Sequence, residues 1–222
     1  MHEIQKKILK QLTVSEKSRY SAIKPPKIGG NQFAYHLKEV VDQGLVKKDG
    51  IYYSLTSDGE RFADGISLKT FVKRAQPKIV TMVIVENNKN EVLFVKREKQ
   101  PFIGLFSLPY GKLHLGERIQ DAAIREISEK TSLSISEVEH CGDAYIAIYE
   151  QNEVLTHMLC HVFRVKMGKE AFIKGIDLKE GCFWEKVCKI DFRNYVPGTK
   201  EILGLIDNYR KEHFFKEIFV EV

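Results

Sequence analysis

The apolar positions of this chain fall into two rhythms. In the first third they recur every three or four residues: Ile4, Ile8, Leu9 and Leu12, then Tyr20 and Ile23, then Phe33, Leu37, Val40 and Val41. That spacing lays each set along one helix face and predicts three short helices. Ser15 is the expected N-cap of the second, Pro25-Pro26 closes it, and Gly29-Gly30 opens the loop before the third, which starts at about Asn31. Gly44 stands where a left-handed helix stop is wanted. Next, Leu45-Val46, the tight turn Lys48-Asp49-Gly50 and Ile51 to Leu55 predict a hairpin. Thr56 then caps a fourth helix through Phe62 and Ala63. Leu68, Phe71 and Val72 predict a packed helical extension across residues 66–76.

Beyond residue 76 the pattern turns to strands. "KIVTMVIV" and "EVLFVKRE" are apolar runs separated by Glu86-Asn87-Asn88-Lys89-Asn90 and read as a strand pair. The most apolar run, Ile79 to Val85, is far short of a membrane span. Helical spacing returns at 119–131 and again from Lys200 to Tyr209, where Ile202, Leu203, Leu205 and Ile206 should pack inward. The terminal "FFKEIFVEV" is apolar for a free tail, and either covers a sheet or joins a homodimer interface.

Charge divides the chain at the same point. The net charge of +5 is not spread evenly: residues 1–75 hold 14 Lys/Arg against 8 Asp/Glu, and the remainder holds 21 against 22. The excess therefore lies in the first third, where it is either ordinary solubilising charge or a surface for a polyanion. We expect a first domain at 1–66, a connecting helix or linker at 67–76, and a second domain at 77–222. Cys141, Cys160, Cys182 and Cys188 are widely spaced and form no C-x-x-C pair. A zinc site or disulfide framework is not expected, and a reducing cytoplasm fits. The N-terminus lacks the basic-then-apolar layout of a secretory signal.

The element order of residues 1–66, with "GLVKKDGIYYSLTSDG" as hairpin and following helix, resembles the winged helix-turn-helix of bacterial transcription regulators. The resemblance implies that the third helix enters the major groove of double-stranded DNA, with Asn31, Gln32, Tyr35 and Lys38 outward. Lys47 and Lys48 at the wing tip would then meet phosphates. Glu39 and Asp42 on that helix oppose DNA, and a winged helix used for protein contact is the competing reading.

"GLFSLPYGKLHLGERIQDAAIREISEKTSL" carries the more specific pattern. It resembles the Nudix box, G-x5-E-x7-R-E-U-x-E-E-x-G-U, where U is bulky and aliphatic. Gly111, Glu117, Arg125, Glu126, Ile127, Glu129 and Leu133 fall in register. Gly104, Phe106, Leu108 and Pro109 before the box, and Trp184 and "YVPGT" after it, extend the resemblance to residues 77–210. Lys130 departs where a second glutamate belongs, Ser132 replaces the late glycine, and Tyr110 replaces a common glycine before the box.

The resemblance implies an α/β fold, a Nudix α/β/α sandwich around a mixed sheet, behind a small winged-helix (α+β) domain. It also implies hydrolysis of nucleoside diphosphates linked to another moiety, with Mg²⁺ or Mn²⁺ as cofactor. The residues it marks as catalytic are Glu126, Glu129 and Arg125. Those it marks for the ion are Gly111, Glu126 and Glu129, with Glu180 as a later acidic ligand and Glu150 behind it. At about 100° per residue Glu126 and Lys130 fall on the helix's apolar stripe, unusual for a merely solvated face. Arg97 and Lys130 are candidates for the substrate's phosphates, while Lys99 is either that or solvated. Tyr145, Tyr149, Phe183 or Trp184 would stack on a base unless they are core residues.

Glu126 and Lys130 also suit a simple helical ion pair, and a lysine there weakens an ion site by repulsion. Three functions therefore stand side by side. One is a Nudix hydrolase of impaired or unusual activity. The second is a DNA-binding regulator that senses an ADP-ribose-like metabolite without hydrolysing it, a pairing known from Nudix-related regulators in which the Nudix part comes first. The third is a scaffold.

Overall fold

The computed structural model describes all residues except 68, 69, 74, 169–177 and 208–211. They form two compact units, Met1–Ala75 and Gln76–Val222.

The first unit runs α1 (Glu3–Thr13), β1 (Ser18–Arg19), α2 (Tyr20–Ile23), α3 (Gly30–Asp42), β2 (Val46–Asp49), β3 (Tyr52–Leu55) and α4 (Ser57–Asp64). Its core is the set the periodicity marked: Ile4, Ile8, Leu9, Leu12, Ile23, Phe33, Leu37, Val40 and Val46 are buried together. Gly44 ends α3 at φ 73°. Its amide donates to the Val41 carbonyl, and the Leu45 amide reaches back to Val40, at 2.9 and 3.1 Å. These two bonds are a Schellman stop. Thr56 caps α4 by accepting the Gly59 amide at 3.0 Å.

Two expectations change in this unit. Ser15 does not cap α2: its hydroxyl donates to the Gln11 carbonyl at 3.0 Å, and the N-cap is Arg19. The reason is β1, a two-residue strand that pairs with β3 and gives a three-stranded sheet ordered β1-β3-β2. Two residues are too few to show a period, so the strand was invisible to pattern reading. Second, the described part of 66–76 is no helix. Ile66 and Lys73 form an antiparallel bridge around a turn that holds Phe71 at φ 54°. Phe71 packs on the unit's core while Val72 is exposed. Leu68 lies outside the described residues.

The second unit is built on one eight-stranded mixed sheet. Its strands are β4 (Lys78–Glu86), β5 (Val92–Lys96), β6 (Phe106–Ser107), β7 (Tyr110–Lys112), β8 (Glu139–Glu150), β9 (Glu153–Lys166), β10 (Cys182–Glu185) and β11 (Phe214–Glu221). The main order is β10-β5-β4-β9-β8-β11, with β6 on β5 and β7 on β4. β4 runs parallel to β9 and β11 parallel to β8, while the other pairings are antiparallel. Helix α5 (Ile119–Thr131) covers one face and α6 (Thr199–Asp207) the other.

Strand β4 explains its own unbroken apolar run. Val80, Met82 and Ile84 face the α6 core, while Val83 and Val85 face the α5 core, so both sides of the strand are buried. Ile202, Leu203 and Ile206 of α6 are buried as expected, and Tyr209 lies outside the described residues. The apolar terminus becomes β11, in register with β8 from Phe214↔Gly142 to Glu221↔Tyr149. Ile218 is buried by this pairing, while Phe215 and Phe219 stay exposed.

Candidate active site

The site grows from one face of α5. Ala123 and Ile127 pack into the sheet, and Glu126 shares their stripe, so its residue is only 7% exposed. Gly111 of β7 makes room for it. A Cβ on Gly111 would lie 1.7 to 2.0 Å from the Glu126 carboxyl atoms, so a side chain there would push the carboxylate aside. The glycine at the head of the box thus leaves the Glu126 carboxylate free to lie against the β7 backbone. Thr81 stands opposite Gly111 in the ladder, so it faces the same side. Its buried hydroxyl has no hydrogen-bond partner among the described residues.

Arg125 ties the loop, the strand and the helix together. Its Nε and Nη2 donate to the two Glu117 carboxylate oxygens at 2.7 and 2.9 Å, and Nη2 also donates to the Lys112 carbonyl at 3.2 Å. Nη1 donates to Glu126 Oε1 at 2.7 Å and reaches Glu129 Oε2 at 3.5 Å. The Arg125 fork, helped by the His114 amide, holds the Glu117 carboxyl down at about 2. Glu117 in turn is the main cause of the raised Arg125 value. Glu117 is thereby consumed as a strut, and of the box's glutamates Glu126 and Glu129 are the two that border the cavity.

Two of the three departures, Lys130 in the box and Tyr110 just before it, lie close together. Lys130 Nζ lies 3.6 Å from Glu126 Oε2, too long for a hydrogen bond, and 5.8 Å from the centre of the Tyr110 ring. Arg97 lies 5.3 Å from the same ring and donates to the Tyr110 hydroxyl. It also donates to the Pro101 and Lys99 carbonyls at 3.0 and 3.3 Å, which folds the 97–104 loop around it. Burial pushes the Tyr110 pKa up against the pull of Arg97. Tyr110 is thus flanked by two cations, an arrangement cation–π attraction favours.

These groups border a cavity of about 780 Å³. Its apolar wall is Val80, Met82, Leu108, Ile146 and Met158. Seven Lys/Arg residues against four Glu line the rest, so the charge balance suits an anion. Gly111, Glu126, Glu129, Lys130, Arg97, Lys99 and Glu180 all border this space. Glu180 is exposed, and its neighbour Lys179 donates to the Glu129 carbonyl at the end of α5.

The four aromatic residues considered for base stacking lie elsewhere. Tyr145 meets His157 edge-on at 4.5 Å, Phe183 packs on Phe94 and Phe106, and Trp184 joins the α5-side core. Neither they nor Tyr149 border the cavity, and Glu150 pairs with Glu153 at the end of β8. Sequence reasoning missed Lys179, fifty positions beyond Glu129 and without a motif. It noted Tyr110 only as an oddity, and that oddity was the available signal.

In the first unit Asn31, Gln32, Tyr35 and Lys38 are exposed on α3, as are Lys47 and Lys48 on β2. Lys48 lies 5.9 Å from the Tyr53 ring centre, and Lys17 and Arg19 lie 5.1 and 5.7 Å from that of Tyr52. Arg19 lies in β1 and Lys17 immediately precedes it, so these two further cations are brought beside Tyr52 by that strand.

The donors around Gly111 suit a hard divalent ion. Glu126 Oε2 accepts no hydrogen bond from Lys130, which stands 3.6 Å away, the Thr81 hydroxyl has no partner among the described residues, and Glu129 is open, its side chain 60% exposed. All three offer oxygen, which Mg²⁺ and Mn²⁺ take in preference to nitrogen or sulfur.

A curated relative, the ADP-ribose pyrophosphatase of Methanocaldococcus jannaschii, is 29% identical over 140 residues, covering 61% of this chain and 80% of its own. Among solved structures, the NUDIX domain of Shewanella oneidensis NrtR, determined with ADP ribose, superposes with a TM-score of 0.50 at 14% identity. It covers 69% of this chain and 98% of that one. A NUDIX hydrolase from Nitrosomonas europaea gives 0.48 at 19% identity, covering 71% and 86%. The family model described as NUDIX domain matches residues 76–194, more than half of the sequence, and the chain belongs to that family.

Proposed function

We propose that the second unit hydrolyses the pyrophosphate of a nucleoside diphosphate linked to another moiety, with ADP-ribose-like compounds as the first substrates to consider. The observation that carries this is the carboxylate pair Glu126 and Glu129, tied to Arg125 at the mouth of a cavity with a basic border. The relative named as an ADP-ribose pyrophosphatase supports the choice of substrate.

In this reading the basic border neutralises the diphosphate, with Arg97 and Lys130 nearest its oxygens. Glu126, Glu129 and the Gly111 carbonyl hold one Mg²⁺ or Mn²⁺, with Glu180 as an additional ligand. The ion, when bound, neutralises phosphoryl charge and lowers the pKa of water. Arg125 fixes the direction of Glu126, and the apolar wall excludes bulk water. One water adds across the P–O–P bridge, and the bridging oxygen leaves with a proton as the second phosphomonoester. Lys130 lowers the rate by competing with the ion for Glu126 Oε2. Glu126→Gln should reduce Mg²⁺- or Mn²⁺-dependent turnover of ADP-ribose by at least ~100-fold. Retained turnover removes Glu126 from the mechanism.

The first unit supports a second reading, in which the chain also binds duplex DNA and the nucleotide acts as a signal. The observation that favours it is the outward row Asn31, Gln32, Tyr35 and Lys38 on α3, beside a small sheet carrying Lys17, Arg19, Lys47 and Lys48. If signalling replaces hydrolysis, the wild-type chain binds ADP-ribose in calorimetry and leaves it intact over hours with Mn²⁺ present. Turnover under those conditions decides for the enzyme.

A further inference from the structure

At the opposite face from α6, where β8, β9 and β11 meet, a second polar cluster has no part in the site above. His161 Nδ1 lies 2.7 Å from Asp143 Oδ1, and His140 Nε2 lies 3.2 Å from the same oxygen. One ligand atom from each of the three residues lies within 4.8 Å of the others. All three are partly buried, with side chains 18 to 36% exposed, so an ion could enter and still be shielded.

The backbone goes out of its way to assemble them. Residues 140 and 143 are three apart on one strand, and regular pleating would send them to opposite faces. A bulge between His140 and Gly142 resets the alternation. Asp143 then stands directly across from His161 on β9. Gly142 carries the bend at φ 154°, and a Cβ there would lie 2.2 Å from the Phe214 carbonyl of β11. His213 immediately precedes that strand, and its ring meets the His140 ring edge-on at 4.9 Å.

We propose that His140, Asp143 and His161, with His213 as fourth ligand, form a site for Zn²⁺ or a similar imidazole-seeking ion. Tetrahedral coordination at about 2.0–2.1 Å puts ligand atoms roughly 3.3 Å apart, close to the 2.7 and 3.2 Å contacts present. Three imidazoles and one carboxylate prefer Zn²⁺, Co²⁺ or Ni²⁺ to Mg²⁺. The site is therefore chemically separate from the oxygen ligands on α5, and it does not depend on the hydrolase reading. An ion here ties the start of β11 to β8 and β9, which makes it a clamp on the last strand.

The test uses the full chain, without a histidine tag, stripped with chelator and titrated with Co²⁺ and then Zn²⁺. The expected result is the visible spectrum of four-coordinate Co²⁺, without thiolate charge-transfer bands, displaced by one equivalent of Zn²⁺. Zn²⁺ should also raise the melting temperature above that of the stripped protein. His161→Ala and Asp143→Asn should each weaken Zn²⁺ binding at least ~100-fold, and His213→Ala at least ~10-fold. Glu126→Gln should leave the spectrum unchanged. Each variant is compared with its own stripped form, so a loss of fold is seen separately in circular dichroism. If His161→Ala destabilises the stripped chain, the spectrum of Asp143→Asn decides. A spectrum that survives these substitutions, disappears with Glu126→Gln, or never forms overturns the proposal. Unchanged affinity in His213→Ala overturns the clamp.

Discussion

Arg125 and Lys130 approach the two oxygens of one buried carboxylate, at 2.7 Å and 3.6 Å. Arg125 makes a hydrogen bond and orients Glu126, while Lys130 stands off and contributes only charge. Lys130→Glu removes that positive charge and adds a ligand. At a few ångström in a screened environment the change is worth about 1–2 kcal/mol, so Mn²⁺ affinity should rise about 10-fold and turnover with it. An unchanged Mn²⁺ titration would show that Lys130 does not control the site. Glu117 makes a separate prediction about acid stability. Arg125 depresses its folded-state value from 4.5 to about 2, so its contribution is complete above about pH 4.5. That contribution falls away as pH drops from 4.5 to 2. Glu117→Gln should flatten this part of the stability curve in urea melts, and an identical slope would mean the Arg125 fork adds no linkage.

The ends of the elements show how departures from the box were accommodated. Ser132 takes the position of the late glycine and sits at φ 64°, where its amide donates to the Ser128 carbonyl at 3.0 Å and stops α5. An L-residue pays roughly 1–2 kcal/mol for that conformation, part of which glycine returns through its more mobile unfolded chain. Ser132→Gly should therefore stabilise the chain by about 0.5–1 kcal/mol, read as a higher denaturation midpoint, and a lower midpoint would rule out strain at this stop. Long-period elements were legible: α1, α3, α5 and β4 follow the apolar spacing because each buries one or both faces. β1 and the Ile66–Lys73 bridge were not, because elements this short are held by distant partners and not by their own pattern.

Across the whole molecule, the charge asymmetry coincides with the division at Ala75. No helix among the described residues is long and apolar enough to cross a membrane. If the basic first unit meets DNA, binding by the full chain should weaken steeply with salt, by about 0.9 log units of slope per phosphate contact. Lys47→Ala with Lys48→Ala should then reduce the slope by about 2. Substitutions at Asn31 or Gln32 should alter preference among sequences with little change in that slope. A fluorescence-anisotropy titration across salt concentrations checks both, and no binding at low salt excludes the DNA reading.

The sequence by itself determined the family segment with the glutamates and arginine of α5, and the resemblance of that segment implied the α/β/α layering of the second unit. The segment rests on the spacing of its residues, which a linear chain carries in full. The tertiary structure alone decided what those residues meet. It placed the Glu126 carboxylate over Gly111, set Lys130 and Arg97 on either side of Tyr110, and used Glu117 as a strut. It also turned the apolar terminus into β11 and gathered His140, Asp143 and His161 through a bulge. Each of these depends on pairing between strands or on one local break in alternation, and neither leaves a period in the sequence.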